Sequence, residues 1–263
     1  MGLNEGTGGF SNTDSLFRGL SYPIRSDLME QCQLSWQRLA QPGEWWTGAE
    51  RIAMIREVRS ASSCDICKQR KESLSPYASK ELHTGNERLT PRVVDTVHRV
   101  ATDAGRLKRE WFDELRQDGV TDGQIVELIA ITSTAVAINR LARGLGSSPP
   151  ELQKSVSGLP KEKPPKGAAV SFAWVPTVPV EMAEDDLAEL YNVLVGRDGN
   201  IPYVLQALSY VPSELIALSQ LYHALYLPPG SISDSRADAG RAISRAQMEW
   251  IATTVSEANG CFY

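Results

Sequence analysis

Cys64 and Cys67 stand two residues apart in "SCDICKQRK". Two thiols at this spacing fall on adjacent turns at the start of a helix. There the unpaired backbone N–H groups and the helix dipole stabilise a thiolate. Ser62 or Ser63 is expected to cap that helix, with Lys68 four residues after Cys64 and Lys71 four after Cys67. Both ammonium groups favour ionised sulfur, and Asp65 opposes them. A thiolate so placed attacks an electrophile such as a peroxide O–O bond or a disulfide, and its neighbour then closes the ring. A zinc site needs two more ligands. Only His83 and His98 are near in sequence, at spacings unlike a zinc finger or ribbon, and there is no second Cys-x-x-Cys. The spacing therefore favours redox chemistry over an inert packed pair, and both over metal.

The other candidates are weaker one by one. Cys32 lies on the apolar face of a helix and reads as core. His83, His98 and His223 are isolated and read as packed or surface histidines. Trp45-Trp46 and the aromatics of "LYHALY" read as core or subunit interface. Glu249 alone is a solvated helix charge, but eleven residues separate it from Cys261 in the terminal "ANGCFY", and that spacing matters below.

The elements that must position these residues are helical. Ser26 is expected to cap a helix with Leu28, Cys32, Trp36 and Leu39 on one face. "TGAERIAMIREVRSAS" follows, with Ile52, Ile55 and Val58 as its apolar stripe. "TPRVVDTVHRVATDAG" starts at Thr90-Pro91 and ends at Gly105. Trp111, Phe112 and Leu115 mark a short helix. Thr121 and Gln124 form a capping box for a long helix that stops near Gly144 or Gly146. Seven prolines between 147 and 180 exclude a long helix and predict an extended linker, whose "AVSFAWVP" is apolar enough to pack on a neighbouring surface. Helical patterns resume from about 183 and run to "SRAQMEWIATTVSEANG". No convincing alternating strand appears, so the expected class is all-α.

Bulk properties agree with a soluble globular protein. The 263 residues are 42% hydrophobic and 22% charged, with a net charge of -5. That balance, with only short basic clusters, argues against nucleic-acid binding. No export signal is present, and the most apolar stretch, "IVELIAITSTAVAI", carries Glu127 and is too short for a bilayer span. The expectation is a cytoplasmic protein with no membrane partner, in which four cysteines are not a disulfide scaffold.

A faint internal repeat joins the two cysteine regions. "AERIAMIREVRSASSCDIC" and "SRAQMEWIATTVSEANGCFY" superpose when Cys64 is laid on Cys261; Ile52 then meets Glu249 and Val58 meets Val255. More helices follow the first copy and none follows the second, so the second unit reads as incomplete. Its apolar helix face is expected to be poorly covered.

"RAQMEWIATTVSEANGCFY" closely resembles the helix leading into the active site of alkylhydroperoxidase D-type proteins, in the carboxymuconolactone decarboxylase-like superfamily. The family motif is Glu, eleven residues, then Cys-x-x-Cys-x-x-x-His; here Glu249 and Cys261 match. "IPYVLQALSYVPSELIALSQLYHALYLPPG" looks like the helix pair preceding that motif, and the N-terminal half resembles a diverged second copy. The resemblance implies two tandem alkylhydroperoxidase D-like helical units, the second truncated. They would be 26–146 and 181–263, joined by a Pro-rich linker at 147–180 after a tail at 1–25. It implies homo-oligomers and reduction of hydrogen or organic peroxides, with an external dithiol donor and neither metal nor organic cofactor. In the family the second cysteine attacks the peroxide, the first resolves it as a disulfide, and Glu and His relay protons. Carried onto this chain, Glu249 is the relay and Cys261 the resolving thiol. In the N-terminal copy Ile52 replaces the relay Glu and Lys71 the His, so Cys64 and Cys67 are expected to lack a relay. The same superfamily includes cofactor-free decarboxylases, and a helical oligomerisation module with merely packed cysteines is a further alternative.

Some families of this kind replace one motif cysteine with selenocysteine, whose UGA codon is ordinarily read as stop. The chain ends where the attacking residue of the motif would stand. A continuation Cys261-Phe262-Tyr263-selenocysteine, with a His four residues further on, is therefore expected. A TGA codon after Tyr263, followed by an open frame, is its test.

Overall fold

The computed structural model describes residues 16–261, apart from 21, 79–80, 196–199, 228–230, 232–233, 235 and 237–239. Phe262, Tyr263 and most of the expected N-terminal tail therefore lie outside the described residues. Ten α-helices are described: α1 (Ser26–Arg38), α2 (Gly48–Ala61), α3 (Asp65–Glu72), α4 (Pro91–Asp103), α5 (Arg109–Gln117), α6 (Asp122–Gly144), α7 (Asp185–Leu194), α8 (Tyr203–Gln206), α9 (Pro212–Leu225) and α10 (Arg245–Ala258). No strand occurs among the described residues; Ala169 and Thr177 form an isolated antiparallel bridge. The class is all-α, as the periodicity predicts.

Side-chain caps set four of the ten described helix starts. Thr121 and Gln124 make the expected reciprocal capping box on α6, and Thr90 caps α4 ahead of Pro91. Thr47 with Glu50 and Ser244 with Gln247 make two more boxes, on α2 and α10. Two expected caps are corrected. The N-cap of α1 is Arg25, so Ser26 is already helical, and no side chain caps that end. Ser62 and Ser63 do not cap α3. Their hydroxyls bond back to the carbonyls of Arg59 and Ser60, closing α2 instead, and Cys64 itself is the α3 N-cap residue.

The main core lies between α1, α2, α4, α5, α6 and α9. Trp36, Met54, Ile55, Val97, Leu115, Leu128 and Ile131 are buried there. α6 is the axis of this core. It is long and apolar enough to cross a membrane by length and composition, but much of it is buried inside the protein, as core helices are. Phe17, from the segment read as tail, is also buried. α9, from the C-terminal half, packs on α1 and α6 and delivers Val211 and Leu221 to the same core. Glu214 on α9 is fully buried. It accepts from Arg38 at 2.7 Å and from Arg51 at 2.8 Å, while Arg51 also reaches Glu127 of α6 at 2.6 Å. Two carboxylates thus share one buried guanidinium.

The Pro-rich segment is extended but pinned. Trp36 Nε1 donates to the Glu151 carbonyl at 2.9 Å, Val156 N to Ala40 O at 2.8 Å, and Glu162 N to Glu44 O at 2.8 Å. "AVSFAWVP" packs on the core only at its end: Val175 is buried and Trp174 meets Phe112 edge to face, while Val170 and Phe172 are exposed. A small satellite core of Val178, Leu187, Tyr191, Ile201 and Leu215 secures α7. α10 is thinly attached. Met248 is its buried residue, whereas Trp250 is 79% exposed and Ile251 and Val255 are about half exposed.

Candidate functional site

α2 ends at Ala61, and the chain turns through Ser62 and Ser63 so that Cys64 N bonds Ala61 O at 3.3 Å. α3 then begins, carrying Cys67 one turn on. Arg70 locks α3 from its buried face. It donates to Asp95 at 2.5 Å and to the Glu81 carbonyl, two residues before His83. α4 presents Asp95, His98 and Arg99 at spacings of three and four, hence on one face. All three are buried.

The result is a cluster of two thiols and two imidazoles. Cys64 Sγ lies 3.2 Å from His83 Nε2, Cys67 Sγ 3.5 Å from the same nitrogen, and Cys67 Sγ 3.4 Å from His98 Nδ1. The two rings are 3.9 Å apart between centroids. Each imidazole turns its other nitrogen to a carboxylate. His83 Nδ1 meets Asp95 Oδ1 at 2.8 Å, and His98 Nε2 meets Glu57 Oε2 at 3.1 Å. Glu57 is in turn held by Asn86 Nδ2 at 2.9 Å. These contacts orient both rings: His98 turns its N–H to Glu57 and its lone pair to Cys67, while His83 holds Asp95 through Nδ1 and turns Nε2 to both sulfurs.

The electrostatics follow from these neighbours. Burial disfavours ionised Asp95, but donors from His83, Arg99 and Arg70 outweigh it and hold the carboxyl well below the usual range. Burial opposes a charged His83, yet the Asp95 hydrogen bond and both sulfurs raise it to about 10. His98 moves the other way: burial and the nearby His83 charge lower it, with Glu57 offsetting part. Burial also opposes the Cys64 thiolate, but the Cys67 backbone N–H and His83 prevail and lower its pKa. The cation beside Cys64 is thus His83. Lys68, expected in that role, is solvent-exposed and pairs with Asp65 at 3.4 Å.

Cys64 is half-buried and Cys67 is 4% exposed. Cys67 borders a cleft of about 480 Å³ between α2, α3, α4 and α6, whose charged lining residues are Arg59, Lys68, Lys71, Arg140 and Arg143. Among the described residues no carboxylate lines it, and Asn139 Nδ2 and Arg59 Nε are buried there with no hydrogen-bond partner among them.

The structure therefore brings Cys64 and Cys67 together with two histidines that their sequence positions leave isolated. It also supplies proton-handling groups where the resemblance leaves none: Glu57 sits five residues beyond Ile52, and the histidines come from the next loop and helix. One trace was visible beforehand, since Asp95 and His98 fall among Val93, Val94 and Val97, the buried stripe of α4. Glu249 and Cys261 are placed apart from this cluster. Glu249 bonds Arg245 at 2.5 Å on the exposed side of α10, and Tyr226 hydrogen-bonds to it and, ahead of burial and Arg245, keeps its carboxyl low. Cys261 is exposed past the helix end; among the described residues neither a histidine nor a second thiol lies within hydrogen-bond reach of it. Cys32 is core, its thiol pushed up to about 11 by burial. The chain matches no family model, no curated protein and no solved structure.

Proposed function

We propose that this chain is a cytosolic thiol oxidoreductase that reduces peroxides at Cys64 and Cys67. The observation that carries the reading is the pairing of the two thiols with two imidazoles, each oriented by its own carboxylate. Cys67, at the edge of the cleft, gives its proton to neutral His98 and attacks the peroxide. An S–O bond forms, the O–O bond breaks, and the departing oxygen takes a proton and leaves as alcohol or water. The Cys64 thiolate then attacks the sulfenic sulfur of Cys67. The S–S bond forms as hydroxide leaves, protonated by His83. The more accessible Cys64 is the sulfur at which an external dithiol regenerates the pair, itself becoming a disulfide. The five cations around the cleft favour an organic hydroperoxide that carries negative charge.

Peroxide consumption with a dithiol donor tests this reading. Turnover is expected to survive Cys261→Ser and to vanish in Cys67→Ser, while Cys64→Ser accumulates a sulfenic acid that a carbon-acid reagent traps. Mild peroxide should remove two free thiols per wild-type chain as an intramolecular disulfide. Turnover that persists in Cys67→Ser but is lost in Cys261→Ser would return the chemistry to the C-terminal motif.

A further inference from the structure

We propose that Cys64, Cys67, His83 and His98 form a tetrahedral binding site for a divalent metal of the zinc class. The ligand atoms are Sγ of both cysteines, Nε2 of His83 and Nδ1 of His98, and all four lie within 4.8 Å of one another. A zinc ion with Zn–S near 2.3 Å and Zn–N near 2.0 Å spans ligand pairs about 3.3–3.8 Å apart. Three of the pairs already lie at 3.2, 3.5 and 3.4 Å. A small inward movement of the remaining contacts closes the tetrahedron.

Three further observations point to a cation at this centre. First, the two imidazole rings stand 3.9 Å apart between centroids and each turns one nitrogen to sulfur, His83 Nε2 to both cysteines and His98 Nδ1 to Cys67, so that a metal ion replacing the His83 proton would sit between all four ligand atoms. Second, each imidazole has its remote N–H held by a buried or half-buried carboxylate, Asp95 for His83 and Glu57 for His98. Such a carboxylate fixes the tautomer and raises the basicity of the coordinating nitrogen. Third, the charges balance. Two thiolates neutralise a divalent ion, and the two cations Arg70 and Arg99 are matched by the two carboxylates Asp95 and Glu57. With two sulfurs, two nitrogens and tetrahedral placement, zinc fits better than calcium or magnesium, which take oxygen.

The metal and the peroxide chemistry use the same thiols and therefore exclude each other in time. The metal-loaded chain holds both sulfurs coordinated. A peroxide that oxidises them converts two thiolates and two protons into a disulfide, an alcohol or water, and one further water, and it sets the metal free. The metal reading does not rest on turnover, since a site of this kind binds whether or not it reacts.

The test uses the full chain, reduced and freed of metal by a chelator, titrated with cobalt(II) and then zinc(II). One cobalt per chain is expected, with intense tetrahedral d–d bands and a thiolate-to-cobalt charge-transfer band that zinc bleaches stoichiometrically. Cys64→Ser and Cys67→Ser should each halve or abolish the charge-transfer band, and Glu57→Ala should weaken affinity roughly 10–100-fold. Cys32→Ser and Cys261→Ser should leave the bands intact. Octahedral cobalt only, or a thiolate band that survives both Cys64→Ser and Cys67→Ser, would overturn the site. The metal-free chain is assayed for peroxide in parallel. Metal binding without turnover sinks the catalytic reading alone, and turnover without metal binding sinks this one alone.

Discussion

Glu57 and His98 meet at 3.1 Å, although forty-one positions separate them and they lie on different helices. The contact turns the His98 lone pair toward Cys67, so a residue on α2 decides which way a proton moves on α4. Replacing Glu57 with Ala should free the ring to flip or change tautomer. The expected result is a fall of about 10–100-fold in the rate of peroxide-driven Cys67 oxidation, read by stopped-flow loss of tryptophan or thiol signal. The melting temperature should change little, because Glu57 is near the surface. An unaltered rate would remove Glu57 from the mechanism.

The cation-lined cleft makes a charge prediction. Reversing Arg140 and Arg143 to Glu should raise KM for a carboxylated hydroperoxide on the order of tenfold at low salt, with little change for neutral cumene hydroperoxide. Added salt should erase the difference. Equal effects on both peroxides would mean that the cleft does not receive the substrate.

Glu127 predicts a pH-dependent stability. Burial raises its carboxyl to about 7, only partly offset by Arg51. Its folded value therefore lies above the unfolded one, and the native state holds the proton more tightly. Its contribution is complete below the unfolded value near 4.5 and is lost as pH rises through about 7. Glu214 is opposite. Burial there is outweighed by Arg51 and Arg38, its value is lowered, and its contribution is lost as pH falls below the unfolded range. Urea unfolding from pH 4 to 8 should show a decline across the upper window of up to about 3 kcal/mol. Glu127→Gln should flatten that decline and leave the acid limb in place.

Gly43 predicts a packing cost. A Cβ there would overlap Glu127 Oε1 and Arg51 Nη1. Gly43→Ala should split the buried ion pair and destabilise the fold by about 3–5 kcal/mol, measured by denaturant midpoint. A cost below about 1 kcal/mol would mean that the cluster relaxes around the methyl group.

The helical class, the α6 capping box, the Thr90-Pro91 start and the apolar stripes of α1, α2 and α5 were legible because each depends on residues within a turn or two of one another. The site was half legible. Cys64 and Cys67 announce themselves by spacing, but His83 and His98 reach them through tertiary packing that no local period encodes. Asp95 and Arg99, whose pairing nothing in the local pattern singles out, form a buried pair that anchors the centre. The α3 cap was misread because Ser62 and Ser63 had two helix ends within reach, and the carbonyls of α2 took both hydroxyls.

The Arg51 triad has a consequence for the chain as a covalent object. Its cation sits on α2 and one of its anions on α9, with the extended segment 147–180 between them. Cutting that segment would separate neither a working domain nor a free one. The C-terminal fragment would carry the Glu214 carboxylate without Arg38 or Arg51, and both fragments would expose a bare apolar wall, so the two would re-associate from solution or precipitate. The peptide strap thus acts as a tether that keeps the effective concentration of α9 at its berth high. The inheritance of the two halves is tied together by electrostatics as much as by sequence continuity.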